Sequence, residues 1–236
     1  VPIILTIHAG NQLLDALPAK DRDNVLAHCE PVNLGFAKIL YLQGDPIRHL
    51  YFPTTSFIAA VTPVHQNNGL EAGLIGNEGV LGITRMLEVE IAPYQALVQG
   101  AGSALRIPAP LFLEELGRSP ALQMRLKRYL YVSIMHLAQT AACNRYHPLE
   151  PRLARWLLMT HDRAQADTFH VTHIFLAYIL GVRRVGITKA AHSLQEQNLI
   201  SYRRGNITIL DRSGLEHAAC GCYRAASQNY DRFMGS

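Results

Sequence analysis

Residues 180–201 read LGVRRVGITKAAHSLQEQNLIS. Within them Ile187, Ala190, Ala191 and Leu194 fall at i, i+3, i+4 and i+7, the buried stripe of a helix from about 183 to 197. Its other face presents Arg184, Thr188 and His192 at i, i+4 and i+8, with Arg183, Val185 and Lys189 beside them. Upstream, Thr172 can cap a first helix whose apolar face is Ile174, Phe175, Tyr178 and Ile179. That helix ends at Leu180-Gly181, and glycine suits the turn because it tolerates positive φ. Two short helices around a glycine turn, the second with a basic outer face, spell a helix-turn-helix. Such a second helix fits the major groove, where arginine and lysine meet guanine edges.

Downstream, Leu199–Tyr202, then Arg203-Arg204-Gly205-Asn206, then Ile207–Leu210 read as a β-hairpin with a basic tip. This is a wing suited to phosphate contact. A structural helical hairpin with solvated arginines competes with this reading, and the wing counts against it.

The charge supports an anionic partner at this end of the chain. Residues 1–118 carry 7 Lys/Arg against 11 Asp/Glu, residues 119–147 carry 4 against none, and residues 148–236 carry 11 against 7. No acidic residue lies between Asp167 and Glu196, a stretch that holds Arg183, Arg184 and Lys189.

Before this domain, Ala121 to His147 contains neither Gly nor Pro and predicts one helix of about 40 Å, at 1.5 Å per residue. Ser119-Pro120 would start it, as cap and first helical position. Leu122, Leu126, Tyr129, Ser133, His136 or Leu137 and Thr140 keep a heptad-like spacing, while Tyr131, Val132 and Ile134 are apolar off that seam. A helix with more than one apolar face is expected to pack on its own chain and on a second copy. A helix buried wholly within one chain is the competing reading. Pro148 and Pro151 mark the hinge to a helix over 149–163.

Residues 11–29 read as a short helical entry. From about 31 to 108 short apolar runs at 32–34, 39–42, 49–52, 57–61, 97–98 and 105–107 alternate with turn signals such as Asn67-Asn68-Gly69 and Gly76-Asn77-Glu78-Gly79. Many short strands at this spacing predict a β-barrel or sandwich. Pro108 and Pro110 close it, and a short helix begins at Leu111.

The run 180–201 resembles the winged helix-turn-helix of the CRP/FNR superfamily of bacterial transcription regulators, and the domain order resembles theirs over nearly the whole chain. The resemblance implies an α+β fold. It has a cyclic-nucleotide-binding-like β-roll (a double-stranded β-helix) over 1–118, a dimerisation helix over 119–147 and a winged helix-turn-helix over 148–236. It implies a homodimer on a near-palindromic double-stranded operator, with RNA polymerase as a further partner. The family's base-reading positions fall on Arg184, Val185 and Lys189, where its cyclic-AMP receptor has Arg, Glu and Arg. Arg184 keeps a fork for guanine O6 and N7, Lys189 keeps only charge, and Val185 can touch a thymine methyl but accepts no hydrogen bond. Thr172 resembles a phosphate-contacting position, and the wing adds Arg203 and Arg204.

The sensor departs further. In cyclic-AMP-binding members a Gly-Glu-X-Gly turn and an Arg-Ser pair hold the nucleotide. Here Gly76-Asn77-Glu78-Gly79 shifts the glutamate by one place, and Tyr94 and Gln95 stand nearest the Arg-Ser pair. The adenine-contacting Thr-Ser pair falls at Leu137-Ala138, which offers no hydroxyl. Each missing charged hydrogen bond should cost roughly 1.5–3 kcal/mol. The expectation is therefore a small-molecule or nucleotide effector other than cyclic AMP in its usual pose. A constitutive DNA binder and a haem- or redox-sensing regulator are the alternatives.

Other chemistries find less support. The four cysteines (29, 143, 220, 222) are too scattered for a disulfide framework. Cys220-Gly221-Cys222 lacks the interval of at least two residues usual in zinc pairs, and no metal is assigned. His136, near the expected pocket, is the histidine that a haem reading would use. His49 and His65 stand alone, without cupin-like ligand clusters, and no catalytic motif suggests an enzyme. No apolar run is long enough to cross a bilayer. Val1–Ile7 stops at His8, without a basic lead-in, and is too short for a signal peptide. The expected setting is the reducing cytoplasm, away from membranes.

Overall fold

The structure is a computed structural model that describes residues 9–65 and 68–235. The Val1–His8 segment and Asn67 of the Asn67-Asn68-Gly69 turn lie outside the described residues. Two compact units divide the chain, residues 1–58 with 75–130, and residues 59–74 with 131–236.

The first unit opens with helices α1 (Gln12–Asp15) and α2 (Ala19–Ala27). The sequence pattern suggested one helical entry; Pro18 divides it, because proline lacks the N–H that would continue the first helix. Strands β1 (Glu30–Leu34), β2 (Ile39–Tyr41) and β3 (His49–Pro53) follow, then β4 (Phe57–His65) and β5 (Asn68–Ile75), then β6 (Gln95–Gly100) and β7 (Gly102–Pro108). Strands β1, β7 and β3 form an antiparallel sheet with β7 in the middle, and β2 pairs with β6. Helix α3 (Ala109–Arg118) leads to α4 (Pro120–Tyr146), whose start is capped by Ser119 Oγ accepting from Leu122 N at 3.0 Å. Phe52, Phe112, Leu122 and Leu126 are fully buried in this unit.

Two features of α4 bear on assembly. The first residues of its heptad-like seam, Leu122, Leu126 and Tyr129, are buried within a single chain, while Ser133, His136 and Thr140 are half-buried and Leu137 is exposed. Of the off-seam residues Val132 is buried too, whereas Tyr131 and Ile134 are exposed, as are Met124 and Leu137. No helix among the described residues is long and apolar enough to cross a membrane.

The second unit contains 59–74 of the β4–β5 hairpin, the second half of α4, and everything after it. Helix α5 (Leu149–Ala164) takes Pro151 into its first turn, where the missing N–H costs nothing, so the break falls at His147-Pro148 alone. Then come β8 (Thr168–His170), α6 (His173–Leu180), α7 (Arg184–Glu196), β9 (Ile200–Arg203), β10 (Asn206–Ile209), α8 (Arg212–Ala218) and α9 (Cys222–Met234). Leu153, Leu157, Leu176, Ile187, Leu194, Ile200, Ile207 and Leu215 form one core. The β5 strand lies against α6: a Cβ at Gly69 would fall 2.5 Å from the Tyr178 ring.

Candidate nucleic-acid interface

The recognition geometry is built by burial on one side and cap chemistry at each end. Ile187, Ala190, Ala191 and Leu194 are buried as the period requires, which anchors α7 against α5 and α6. Thr172 Oγ1 accepts from Phe175 N at 3.2 Å and caps α6, while Gly181 takes φ +64 after it. Its N–H bonds back to Tyr178 O at 3.3 Å, closing the turn into α7.

With that stripe fixed, Arg183, Arg184, Val185, Thr188, Lys189 and His192 all face outward. Among the described residues no hydrogen bond or ion pair involves the side chains of Arg183, Arg184, Lys189, Arg203 or Arg204. Their donors are free to meet an external acceptor. Val185 is 61% exposed, an apolar group on an otherwise polar face. Two members are engaged within the protein. Thr188 Oγ1 donates to Arg184 O at 3.2 Å and lies 3.1 Å from His173 Nδ1, and His192 pairs with Glu196 at 3.3 Å.

The wing is a two-residue hairpin, β9 to β10, in which Arg204 (φ +52) and Gly205 (φ +82) are both left-handed. Two positive φ values in succession match the right-handed twist of the flanking strands. Arg203 and Arg204 are exposed at its tip. Sequence reasoning missed β8, which pairs with β10 and completes a three-stranded sheet in the order β8-β10-β9. Its only local signal was the alternation of Thr168-Phe169-His170. The His173 ring stacks on Tyr202 with centroids 4.2 Å apart, tying the start of α6 to the wing. Burial, then the neighbouring Arg184, lowers the His173 pKa.

The residues expected to hold an effector lie on the turn after β5, at the start of β6 and on α4. Gly76–Gly79 form a tight turn closed by Gly79 N donating to Gly76 O at 3.0 Å. The Glu78 carboxylate accepts from Gly76 N at 3.2 Å, turning back on its own loop. Asn77 O accepts from Gln12 N at 2.7 Å. A Cβ at Gly79 would fall 2.2 Å from the Tyr129 hydroxyl, which covers the turn. Tyr94 packs with buried Tyr41 and Tyr51 in an apolar cluster, and burial pushes its pKa up to about 12. Gln95 is half-buried at the start of β6, and Leu137 and Ala138 are exposed on α4.

A cleft in the second unit was not foreseen. Glu71, His136, Thr140, Arg155 and Trp156 line it. Trp156 Nε1 donates to Glu71 Oε2 at 3.2 Å, and Arg155 Nη2 donates to Thr140 Oγ1 at 2.9 Å. Burial raises the Glu71 pKa to about 7 and lowers that of His136 to about 3, the latter helped by Arg155 and Arg163. Nearby, Cys143, His147, Cys220 and Cys222 converge, with all four ligand-type atoms within 4.8 Å of one another.

A winged helix-turn-helix with an exposed cationic second helix defines a DNA-binding protein. Residues 151–218 match the Crp-like helix-turn-helix domain model. Solved structures with the same fold include FixK2 from Bradyrhizobium japonicum, 13% identical, with a TM-score of 0.69, covering 81% of this chain and 98% of that one. The c-di-GMP-responsive global regulator CLP of Xanthomonas campestris is 17% identical, with a TM-score of 0.65 and coverage of 81% and 99%. A CRP/FNR-family transcriptional regulator from Thermus thermophilus, TTHA1359, is 20% identical, with a TM-score of 0.66 and coverage of 80% and 98%. No curated protein matches by sequence. Residues 151–218 therefore form a Crp-like helix-turn-helix domain, and the chain shares its fold with solved regulators of the CRP/FNR family.

Proposed function

We propose that this protein is a homodimeric, sequence-specific regulator that reads a near-palindromic duplex with α7 of each copy. As functional divisions, 1–118 acts as the sensor, 119–147 as the dimerisation helix and 148–236 as the DNA-binding domain. The observation that carries this reading is the outward set of Arg183 at the start of α7, Arg184 and Lys189 on it, and Arg203 and Arg204 on the wing, unpaired among the described residues. Arg184 reads guanine, Val185 touches a thymine methyl, and Lys189 supplies charge near a base edge or phosphate. Thr172, Arg203 and Arg204 hold the backbone. Thr188 supports α7 from within, and His192 borders the contact.

Dimerisation uses exposed apolar side chains of α4, namely Met124, Ile134 and Leu137, with Tyr131, whose ring also meets Phe233 of its own chain. Two copies then set their recognition helices about one DNA turn apart, roughly 34 Å. RNA polymerase is a further partner, and the cytoplasm is the setting for this chemistry.

The effector is a small molecule other than cyclic AMP in its usual pose. Gly76–Gly79 spend their amide on Glu78, Tyr129 covers the turn, and Tyr94 lies in the apolar cluster. That tyrosine-filled interior also favours a second reading, constitutive DNA binding. Selection of duplexes from a randomised pool, repeated with cyclic AMP and at several salt concentrations, tests the whole. Recovery of one near-palindromic site, with affinity falling steeply as salt rises and unaffected by cyclic AMP, is the expected result. Failure to enrich any sequence overturns it.

A further inference from the structure

Cys143 and His147 lie one helical turn apart where α4 ends, with His147 N donating to Cys143 O at 3.1 Å, so their side chains share a face. Cys220 and Cys222 arrive from the segment that starts α9. Cys143 Sγ lies 3.4 Å from Cys220 Sγ, and Cys222 Sγ lies 3.5 Å from His147 Nδ1. The three cysteines are buried and His147 is half-buried.

A tetrahedral zinc ion takes thiolate sulfur at about 2.3 Å and imidazole nitrogen at about 2.0–2.1 Å, which puts neighbouring ligand atoms about 3.5–3.8 Å apart. The contacts here are close to those edges, and no pair in the set exceeds 4.8 Å. Thiolates around a multi-iron cluster must spread around a larger body, so the spacing suits one ion. Soft sulfur donors with one imidazole select zinc among the common divalent ions.

From this geometry we propose that Cys143, His147, Cys220 and Cys222 bind one structural zinc ion per chain. His147 binds through Nδ1 as the neutral imidazole. Binding releases three thiol protons to solvent, no electron moves, and the site carries one net negative charge. Second-sphere groups suit that charge. Gln139 Nε2 donates to Cys222 Sγ at 2.9 Å, and the guanidinium groups of Arg152 and Arg155 lie near the thiols. The ion would fasten the start of α9 to the end of α4. Farther along, Tyr131 and Phe233 already meet edge to face, with centroids 4.8 Å apart.

The site is independent of which DNA sequence is read, and its test needs no operator. Full-length protein purified under reducing conditions without chelator should contain one zinc per chain by mass spectrometry of the acid digest. Cobalt(II) exchanged into it should give the intense visible absorption of a tetrahedral thiolate site. His147→Cys should keep the metal and move the cobalt bands to the pattern of four thiolates. Cys222→Ser should lose it, and Cys29→Ser should behave as the parent. A folded, reduced, metal-free chain that takes up neither ion overturns the proposal. So does a Cys143–Cys220 disulfide in the metal-free protein, or a Cys222→Ser variant that binds cobalt with the parent's spectrum.

Discussion

The Trp156 indole nitrogen donates to the Glu71 carboxylate at 3.2 Å inside the second unit, joining the β5 strand to α5. The carboxylate is fully buried, and burial outweighs this bond and the nearby Arg163 and Arg155 guanidiniums, raising its pKa to about 7. An acid whose folded pKa lies above its unfolded 4.5 contributes stability that is complete below pH 4.5 and is lost as pH rises through 7. The difference corresponds to about 3 kcal/mol at 1.36 kcal/mol per pKa unit. His136 acts in the opposite sense. Its folded pKa of about 3 lies below the unfolded 6.5, so its contribution is complete above 6.5 and falls as acid is added. Stability from this pair should therefore be level between about pH 4.5 and 6.5 and fall on both sides. Glu71→Gln keeps an acceptor for the indole and removes the charge. Thermal melts should show it more stable than the parent at pH 8 and nearly equal at pH 5.

Arg184 and Arg203 should fail in different ways. A guanidinium facing a guanine edge discriminates one base pair, so Arg184→Ala should cost about 1–3 kcal/mol on the preferred site and relax selection at that position only. Arg203, at the wing, faces phosphate in this reading. Arg203→Ala should weaken all duplexes alike and reduce the slope of log affinity against log salt by about 0.9 for each phosphate no longer neutralised. Titrations of both variants on matched and single-substitution duplexes separate the two. An Arg184→Ala variant whose base preferences match the parent's would mean that α7 does not read the groove.

Ile134 is 54% exposed on α4, beside exposed Tyr131 and Leu137. A carboxylate there would reach water in the single chain but would be buried and unpaired against a second copy, a costly place for a charge. Ile134→Glu should leave the melting profile near the parent's at low concentration, yet sediment as a monomer where the parent sediments as a dimer. Operator affinity should drop with it, because two half-sites are no longer bound together.

The helix-turn-helix was legible because its signals are local. Period, cap and glycine turn all fall within about forty residues, from Thr172 to Leu210, and each agrees with the others. Pairing across the fold was harder to read. Strand β8 is three residues long and exists because β10 offers an edge, and β5 announces itself only as Leu70-Glu71-Ala72 between glycines. The thiol–imidazole cluster was the least visible. Cys220-Gly221-Cys222 has an interval too short for a usual zinc pair, and its partners lie at Cys143, 77 residues from Cys220, and His147. Only the fold brings the two halves together. The residues expected to hold an effector were read by position, and what the sequence could not show is that Glu78 turns back on its own loop while Tyr129 covers it.

Thr172 caps α6 and, in the proposed reading, also contacts phosphate, and one substitution can separate the two. Its Oγ1 accepts from Phe175 N at 3.2 Å, an N-cap whose loss in Thr172→Ala should cost about 1 kcal/mol. In the proposed DNA-bound state the same exposed residue would face phosphate, so the alanine variant should lose affinity for both reasons at once. Thr172→Asp resolves the ambiguity. Aspartate caps a helix at least as well as threonine and favours the positive end of the α6 dipole, so stability should match or exceed the parent's. Its charge, however, repels a phosphate, and the repulsion is largest at low salt, where screening is weakest. The expected result is an unchanged or raised melting temperature together with weaker DNA binding, the deficit shrinking as salt is added. If binding by the aspartate variant equals the parent's at low salt, Thr172 is a cap alone and the backbone contact belongs to other residues.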